Sequence, residues 1–218
     1  MNYSVSEENY LKTIFHLQEG SDTVSTNALA EKLNTKAASV TDMMKKLSGK
    51  GLLNYTPYYG FSLSNEGKKI AVSVVRRHRL WEYFLASRLN FDWKEVHSVA
   101  EELEHVSSKK LIDKLDEYLG YPQTDPHGDP IPDSKGRVSQ TQAIRLVDLS
   151  LHQPAEILQV INQSDEILEH LKEKQLHLGI VLEIKKIHAF DQSLEIKRKN
   201  KMVTITQELA KSLLVKTV

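Results

Sequence analysis

The sequence predicts a mainly α protein with small β elements: a winged helix-turn-helix, then a helical segment, then a β-rich C-terminal region. Three observations predict it. Apolar residues recur at helical spacing as far as Leu119; two short strand-like runs interrupt them near residues 52–63; and period-two alternation takes over after Val181. The length of 218 residues suits two or three small domains. We expect a DNA-binding domain at 1–64, a helical dimerisation and metal-binding domain at 65–136, a linker at 137–149 and a β domain at 150–218.

The first helix is expected from an N-cap at Ser6 to about Glu19, with Tyr10, Leu11, Ile14, Phe15 and Leu17 on its apolar face. Ser25 opens a short second helix with Leu29, Ala30 and Leu33 inward. Asn34-Thr35 is the turn, and Thr35 is expected to cap a third helix over 36–50 with Val40, Met43, Met44 and Leu47 inward. Two short helices joined by a tight turn, the second polar and basic outward, form the helix-turn-helix pattern. Leu52–Tyr55 and Gly60–Leu63 around Thr56-Pro57-Tyr58-Tyr59 then read as a β-hairpin wing. The third helix offers Lys36, Lys45 and Lys46 to phosphate, and Ser39, Thr41 and Asp42 to base edges; Tyr58 and Tyr59 lie on the wing. Double-stranded operator DNA is the expected partner.

Ser64 caps a long helix reaching about Asn90, buried through Ile70, Ala71, Val74, Trp81, Phe84 and Leu85. Helices over about 93–106 and 108–119 follow. Leu111, Ile112, Leu115, Tyr118 and Leu119 give more apolar surface than so small a segment can bury, so a homodimer through about 65–120 is expected.

Charge is distributed unevenly although it sums to zero. Residues 1–80 hold 11 Lys/Arg and 7 Asp/Glu, residues 81–134 hold 5 and 12, and residues 135–218 hold 13 and 10. A basic segment followed by an acidic one suits a polyanion first and a cation second. The acidic segment carries the ligand types. His78 and Glu82 stand i,i+4 on one helix; His97, Glu101 and His105 stand i,i+4,i+8 on the next, with Glu104 on the same side. Imidazole and carboxylate converging from two helices suit Mn²⁺, Fe²⁺ or Zn²⁺. The chain has no cysteine, which excludes disulfides, thiolate metal sites and cysteine nucleophiles. No HExxH and no Gly-rich phosphate loop occurs, so an enzyme is not expected. No apolar run approaches the ~18 residues a membrane helix needs, and MNYSVSEENY does not read as a signal peptide, so a cytoplasmic location without membrane partners is expected.

The run RRHRLWEYFLASRLNFDWKEVHSVAEELEHVSS, with SEENYLKTIFHL near the start and DPHGDPIP at 125–132, resembles the diphtheria-toxin-repressor and manganese-transport-regulator family of metal-dependent repressors. The resemblance spans essentially the whole chain. It implies two neighbouring metal positions: His78, Glu82 and His97 at one; Glu101, Glu104 and His105, with Asn9 from the first helix, at the other. It implies that the C-terminal region is a small SH3-like (FeoA-like) barrel able to lend a ligand, for which Asp165 and Glu166 are the candidates. Two departures matter. Asn9 stands where the manganese branch has aspartate and the iron branch methionine, and Lys12 stands where the manganese branch has a ligating glutamate. A protonated amine cannot bind a metal. Glu101 stands where the iron branch uses cysteine, which makes the donors all N or O.

The expected function is a metal-dependent repressor of metal-uptake genes, Mn²⁺ being favoured, with Zn²⁺ binding at least as tightly in vitro. Fe²⁺, or a non-metal ligand, is the alternative effector. In this reading metal ties the first helix to the dimerisation helices.

Overall fold

The computed structural model describes residues 3–56, 58–139 and 142–218. Pro57 of the expected wing turn, and residues 140 and 141 of the expected linker, lie outside them. The chain forms two compact units. The first comprises residues to Trp81, Val99–Tyr121 and Pro132–Val138; the second comprises Glu82–Ser98, Pro122–Ile131 and the chain from Ser139 onward.

The first unit opens with α1 (Val5–Leu17), α2 (Thr26–Lys32) and α3 (Ala37–Gly49), then the hairpin β1 (Leu53–Thr56) and β2 (Gly60–Leu63). Leu11, Ile14, Leu29, Val40, Met44 and Leu47 are fully buried in one core, which also takes Ala71. The cap of α1 is Ser4, not Ser6: Ser4 Oγ accepts from the Glu7 amide and the Glu7 carboxylate accepts from the Ser4 amide. This reciprocal pair satisfies two helix-end donors at once, a gain Ser6 could not match. Nor does Thr35 cap α3. Its N-cap is Lys36, which makes no side-chain cap bond. The wing is tied to the helices by an isolated bridge between Val24 and Phe61. Gly60 makes this approach possible, since a Cβ there would lie 2.4 Å from the Val24 carbonyl oxygen.

Ser64 Oγ accepts from the Gly67 amide and starts α4 (Asn65–Leu89), which runs from the first unit into the second. α5 (Val96–Leu103) is shorter than the helix expected over 93–106. Asp92 shapes the entry by accepting from the Lys94 amide. α6 (Lys109–Tyr118), capped by Ser108, buries Ile112, Leu115 and the following Leu119 and exposes Leu111 and Tyr118.

The second unit holds an antiparallel sheet of β3 (Ile144–Arg145), β4 (Pro154–Val160), β5 (Val181–Ile187), β6 (Leu194–Arg198), β7 (Lys201–Ile205) and β8 (Leu213–Thr217), in the order β3-β8-β4-β5-β6-β7. Bulges in the β4–β8 and β5–β6 ladders bend it around a core that includes Leu146, Ile157, Leu171, Leu182, Ile184, Ile196 and Val215. α7 (Asp165–Glu173) and α8 (Gln207–Lys211) complete it. The stretch expected as a linker, 137–149, contains β3 and a 3-10 turn, with Leu146 and Leu149 in the core. Two paired residues, Ile144 with Val215 and Arg145 with Leu214, are too few to show alternation in sequence.

Candidate metal centre and nucleic-acid interface

The two units each assemble ionisable side chains, with different chemistry. In the second unit the chain from Asp125 to Asp129 forms a tight turn. Asp125 Oδ1 accepts from the amides of His127 at 2.8 Å and Asp129 at 2.9 Å. Gly128, at φ +89°, lets the turn lie on β4: a Cβ there would sit 2.0 Å from the Leu158 carbonyl oxygen. The Val160 amide donates to the His127 carbonyl, and Asp129 is held by Gln159 and Gln163.

This turn buries the His127 ring completely. Trp93 stacks on it with centroids 5.5 Å apart, and Trp93 Nε1 donates to the Pro126 carbonyl. His127 Nε2 lies 3.3 Å from the Trp93 carbonyl oxygen, which can only accept, so this nitrogen carries the proton. In the neutral ring Nδ1 then carries a lone pair. It is buried, has no hydrogen-bond partner, and faces Glu82 Oε2 at 3.7 Å. Lone pair against carboxylate is repulsive unless a proton or a metal ion lies between them, and a carbonyl holding the far nitrogen is the usual support of a metal-bound imidazole. His97 Nδ1 bonds Glu82 Oε1 at 3.0 Å. Glu82, Asp125 and His127, all buried, can bring one ligand atom each within 4.8 Å of one another. The donor set is imidazole and carboxylate, which fits a divalent cation.

Asp125 and His127 are functional candidates that sequence reasoning missed. The motif DPHGD had been read only as a turn and as part of a resemblance. An acid and an imidazole two residues apart, followed by glycine, was the available signal.

In the first unit Glu104 is fully buried. Lys12 Nζ from α1 lies 2.7 and 2.8 Å from its two oxygens and 3.5 Å from Glu101, which is half exposed. His78 Nδ1 is 2.6 Å from Glu104 Oε2, which can only accept while ionised, so that nitrogen donates. Burial pushes the Glu104 carboxyl up, but the His78 ring and the Lys12 ammonium outweigh it and hold it below the usual glutamate range. Arg77 bonds the Glu104 carbonyl and, at 2.9 Å, the buried Glu8, which also takes His105 Nδ1 at 2.6 Å. Glu101, Glu104 and His105 thus gather near α1 as expected, but an ammonium stands among them. As it is arranged, Lys12 occupies the side of Glu104 that a metal position formed with Asn9 would need.

His78 and Glu82 lie one turn apart on the continuous α4 and share its face by helix geometry. Asp165 and Glu166 are exposed in the first turn of α7, outside the ligand groups found among the described residues. Acids there complement the helix dipole.

On the helix-turn-helix, Lys36, Ser39, Asp42, Lys45 and Lys46 are exposed; Thr41 is half-buried and bonds the Ala37 carbonyl. Tyr58 and Tyr59 project from the wing. Lys46 is also 3.1 Å from the buried Glu7, which Lys50 approaches to 2.6 Å. The Lys50 ammonium, with smaller help from the Ser4 amide and Lys46, holds the Glu7 carboxyl down at about 2.

Comparison with known proteins matches three successive stretches of the chain. Residues 3–61 match the family described as iron dependent repressor, N-terminal DNA binding domain; 64–133 match its metal binding and dimerisation domain; 144–217 match the FeoA domain. The chain is 34% identical over 125 residues to the iron-dependent repressor IdeR of Mycobacterium tuberculosis, a match covering 57% of this chain and 54% of that protein, so it spans about half the length of this curated relative. It is 35% identical to an uncharacterized HTH-type transcriptional regulator of Methanocaldococcus jannaschii, over 51% of this chain and 90% of that one. A solved manganese-dependent transcriptional repressor in complex with manganese superposes with a TM-score of 0.88 at 30% identity, over 97% of this chain and all of the other. The architecture is therefore an N-terminal helix-turn-helix domain, a helical dimerisation domain and a C-terminal SH3-like β domain. The chain belongs to the diphtheria-toxin-repressor and manganese-transport-regulator family of metal-dependent transcriptional repressors.

Proposed function

We propose that the protein is a dimeric repressor whose binding to operator DNA depends on a divalent cation held by Glu82, Asp125 and His127, with His97 and, by family resemblance, His78. The observation that carries the reading is the buried His127 Nδ1, without a hydrogen-bond partner and 3.7 Å from the Glu82 carboxylate. A bound divalent cation supplies the positive charge that lets these lone pairs converge. The chain's own groups do the rest. The Trp93 carbonyl fixes the His127 tautomer, and Asp125 Oδ1 holds the turn through two amides. Glu104 keeps the His78 proton on Nδ1.

Lys36, Lys45 and Lys46 are assigned to backbone phosphate, Ser39, Thr41 and Asp42 to base edges, and Tyr58 and Tyr59 to phosphate or minor groove at the wing. The homodimer forms through the helices of residues 65–120, where Leu111 and Tyr118 are exposed, and sets two copies of α3 about 34 Å apart. A cation with higher affinity for the DNA-competent arrangement raises its population, by linkage. Among the described residues no helix is long and apolar enough to cross a membrane, and the proposed setting is cytoplasmic. No catalytic activity is proposed.

The donors are all nitrogen or oxygen and the chain lacks cysteine, which favours Mn²⁺. The name of the mycobacterial relative keeps Fe²⁺ as the second reading. The test is binding of the full chain to its own upstream DNA in chelator, Mn²⁺, Fe²⁺ and Zn²⁺, beside repression in cells under manganese or iron supply. Operator binding unaffected by chelator would sink the metal reading. Repression that follows iron and ignores manganese would sink the choice of Mn²⁺.

A further inference from the structure

We infer that Lys12 is a built-in cation: its ammonium stands at the Glu104 centre in place of a metal ion and joins α1 to the segment carrying Glu104 without any metal. The geometry comes first. Lys12 Nζ is shared by both Glu104 oxygens at 2.7 and 2.8 Å, and its side chain is only 12% exposed. With the 2.6 Å bond from His78 Nδ1, Glu104 Oε2 takes two side-chain donors, while the Lys12 ammonium lies 2.7 Å from Oε1.

The charges agree. The buried carboxylates here are Glu8 and Glu104, and the cations against them are Arg77 and Lys12. These four sum to zero before either imidazole takes a proton. The half-exposed Glu101 brings the sum to −1. A divalent ion added to such a cluster leaves an uncompensated positive charge out of water, which is strongly unfavourable. An ion could enter only by displacing Lys12 from a charge-assisted bond it already makes.

Asn9 supports the same conclusion from the other side. It lies i,i+3 from Lys12 on one face of α1. Its Oδ1 is buried without a hydrogen-bond partner, so it is an acceptor with capacity to spare. That neutral oxygen is the extra ligand an ion would gain if the Lys12 charge were gone. On this inference the wild-type chain binds one divalent ion per subunit, and one substitution opens a second position. The inference rests on the proposed metal dependence only for the first ion; the second is read as an increment.

The experiment is a titration of the full-length protein with Mn²⁺ alone, following free Mn²⁺ by electron paramagnetic resonance, for wild type, Lys12→Glu and His127→Ala. The expected values are one ion per subunit for wild type and two for Lys12→Glu. Two ions in wild type, or no gain in Lys12→Glu, overturns the inference. No ion in wild type with a gain of one in Lys12→Glu leaves the inference standing and overturns the proposed Glu82 centre instead. In case Lys12→Glu does not fold, Lys12→Met keeps the apolar stem and removes the charge. In chelator its melting temperature should fall below that of wild type, and excess Mn²⁺ should raise it by more than it raises wild type. Equal Mn²⁺ responses in the two proteins also overturn the inference.

Discussion

The two units treat buried carboxylates in opposite ways. Around Glu104 and Glu8, donors meet the acceptors: Lys12, Arg77, His78 and His105 all point protons inward. Around Glu82, His97 Nδ1 bonds one oxygen at 3.0 Å, but the buried His127 Nδ1 that faces the other at 3.7 Å has no hydrogen-bond partner. The same residue types, glutamate and histidine, therefore build a closed joint in one place and, on the proposed reading, a cation receptor in the other. What separates them is where the imidazole proton is held. Glu104 draws it to Nδ1 of His78; the Trp93 carbonyl draws it away from Nδ1 of His127.

The severest test of the joint is Glu104→Ala. It strands the Lys12 charge in a buried site and should cost roughly 3–5 kcal/mol of stability. Metal-dependent operator binding should be lost while circular dichroism keeps its helical signal. His78→Ala should only shift the metal response to higher concentration. A Glu104→Ala protein that binds operator at the wild-type metal concentration, or a reversed order of severity, would show that the joint does not couple the domains.

Next in size is the receptor. His127→Ala should weaken Mn²⁺ binding by roughly 100-fold or more, since it removes a donor rather than a support. Calorimetric titration measures it, and an unchanged affinity would mean the lone pair is idle.

Acid gives a milder handle on the donor-rich unit. Glu7 is held at about 2 in the folded state against an ordinary 4.5. A carboxyl depressed on folding stabilises fully above its unfolded value and loses that contribution as pH falls from about 4.5 to about 2. Denaturant midpoints should drop across this window, and Lys50→Ala should flatten the drop. A profile identical to wild type in Lys50→Ala would refute the assignment.

The smallest effect concerns DNA. Lys45→Ala should reduce the slope of log affinity against log salt by about 0.9, one phosphate contact. An unchanged slope would place α3 away from the backbone.

Much of this was legible in sequence. The helix-turn-helix followed from Val40, Met44 and Leu47 at helical spacing, and the wing from two short runs. The joint was half legible: i,i+4 spacing put Glu101 and His105 on one face, and Lys12 was recognised as unable to ligate. That Lys12 would sit on Glu104, 92 residues away, depends on packing no local pattern records. His127 was not legible for a different reason. Its role depends on the proton position, which is set by a backbone carbonyl of Trp93, and backbone carbonyls leave no trace in a sequence. The β3 strand escaped because two residues have no period.

Lys46 carries one more consequence. Its ammonium lies 3.1 Å from the buried Glu7 carboxylate, beside Lys50. Counterions condensed on DNA are released by charge the protein brings to a phosphate, and charge shared with a protein carboxylate releases fewer. Lys45 and Lys46 are neighbours in sequence, yet they are unequal as electrolytes. Replacing Lys45 should change the number of ions liberated on binding, and replacing Lys46 should change it by less, since Glu7 is divided between Lys46 and Lys50. The first turn of α1 in this way sets how strongly the far end of the recognition helix feels ionic strength.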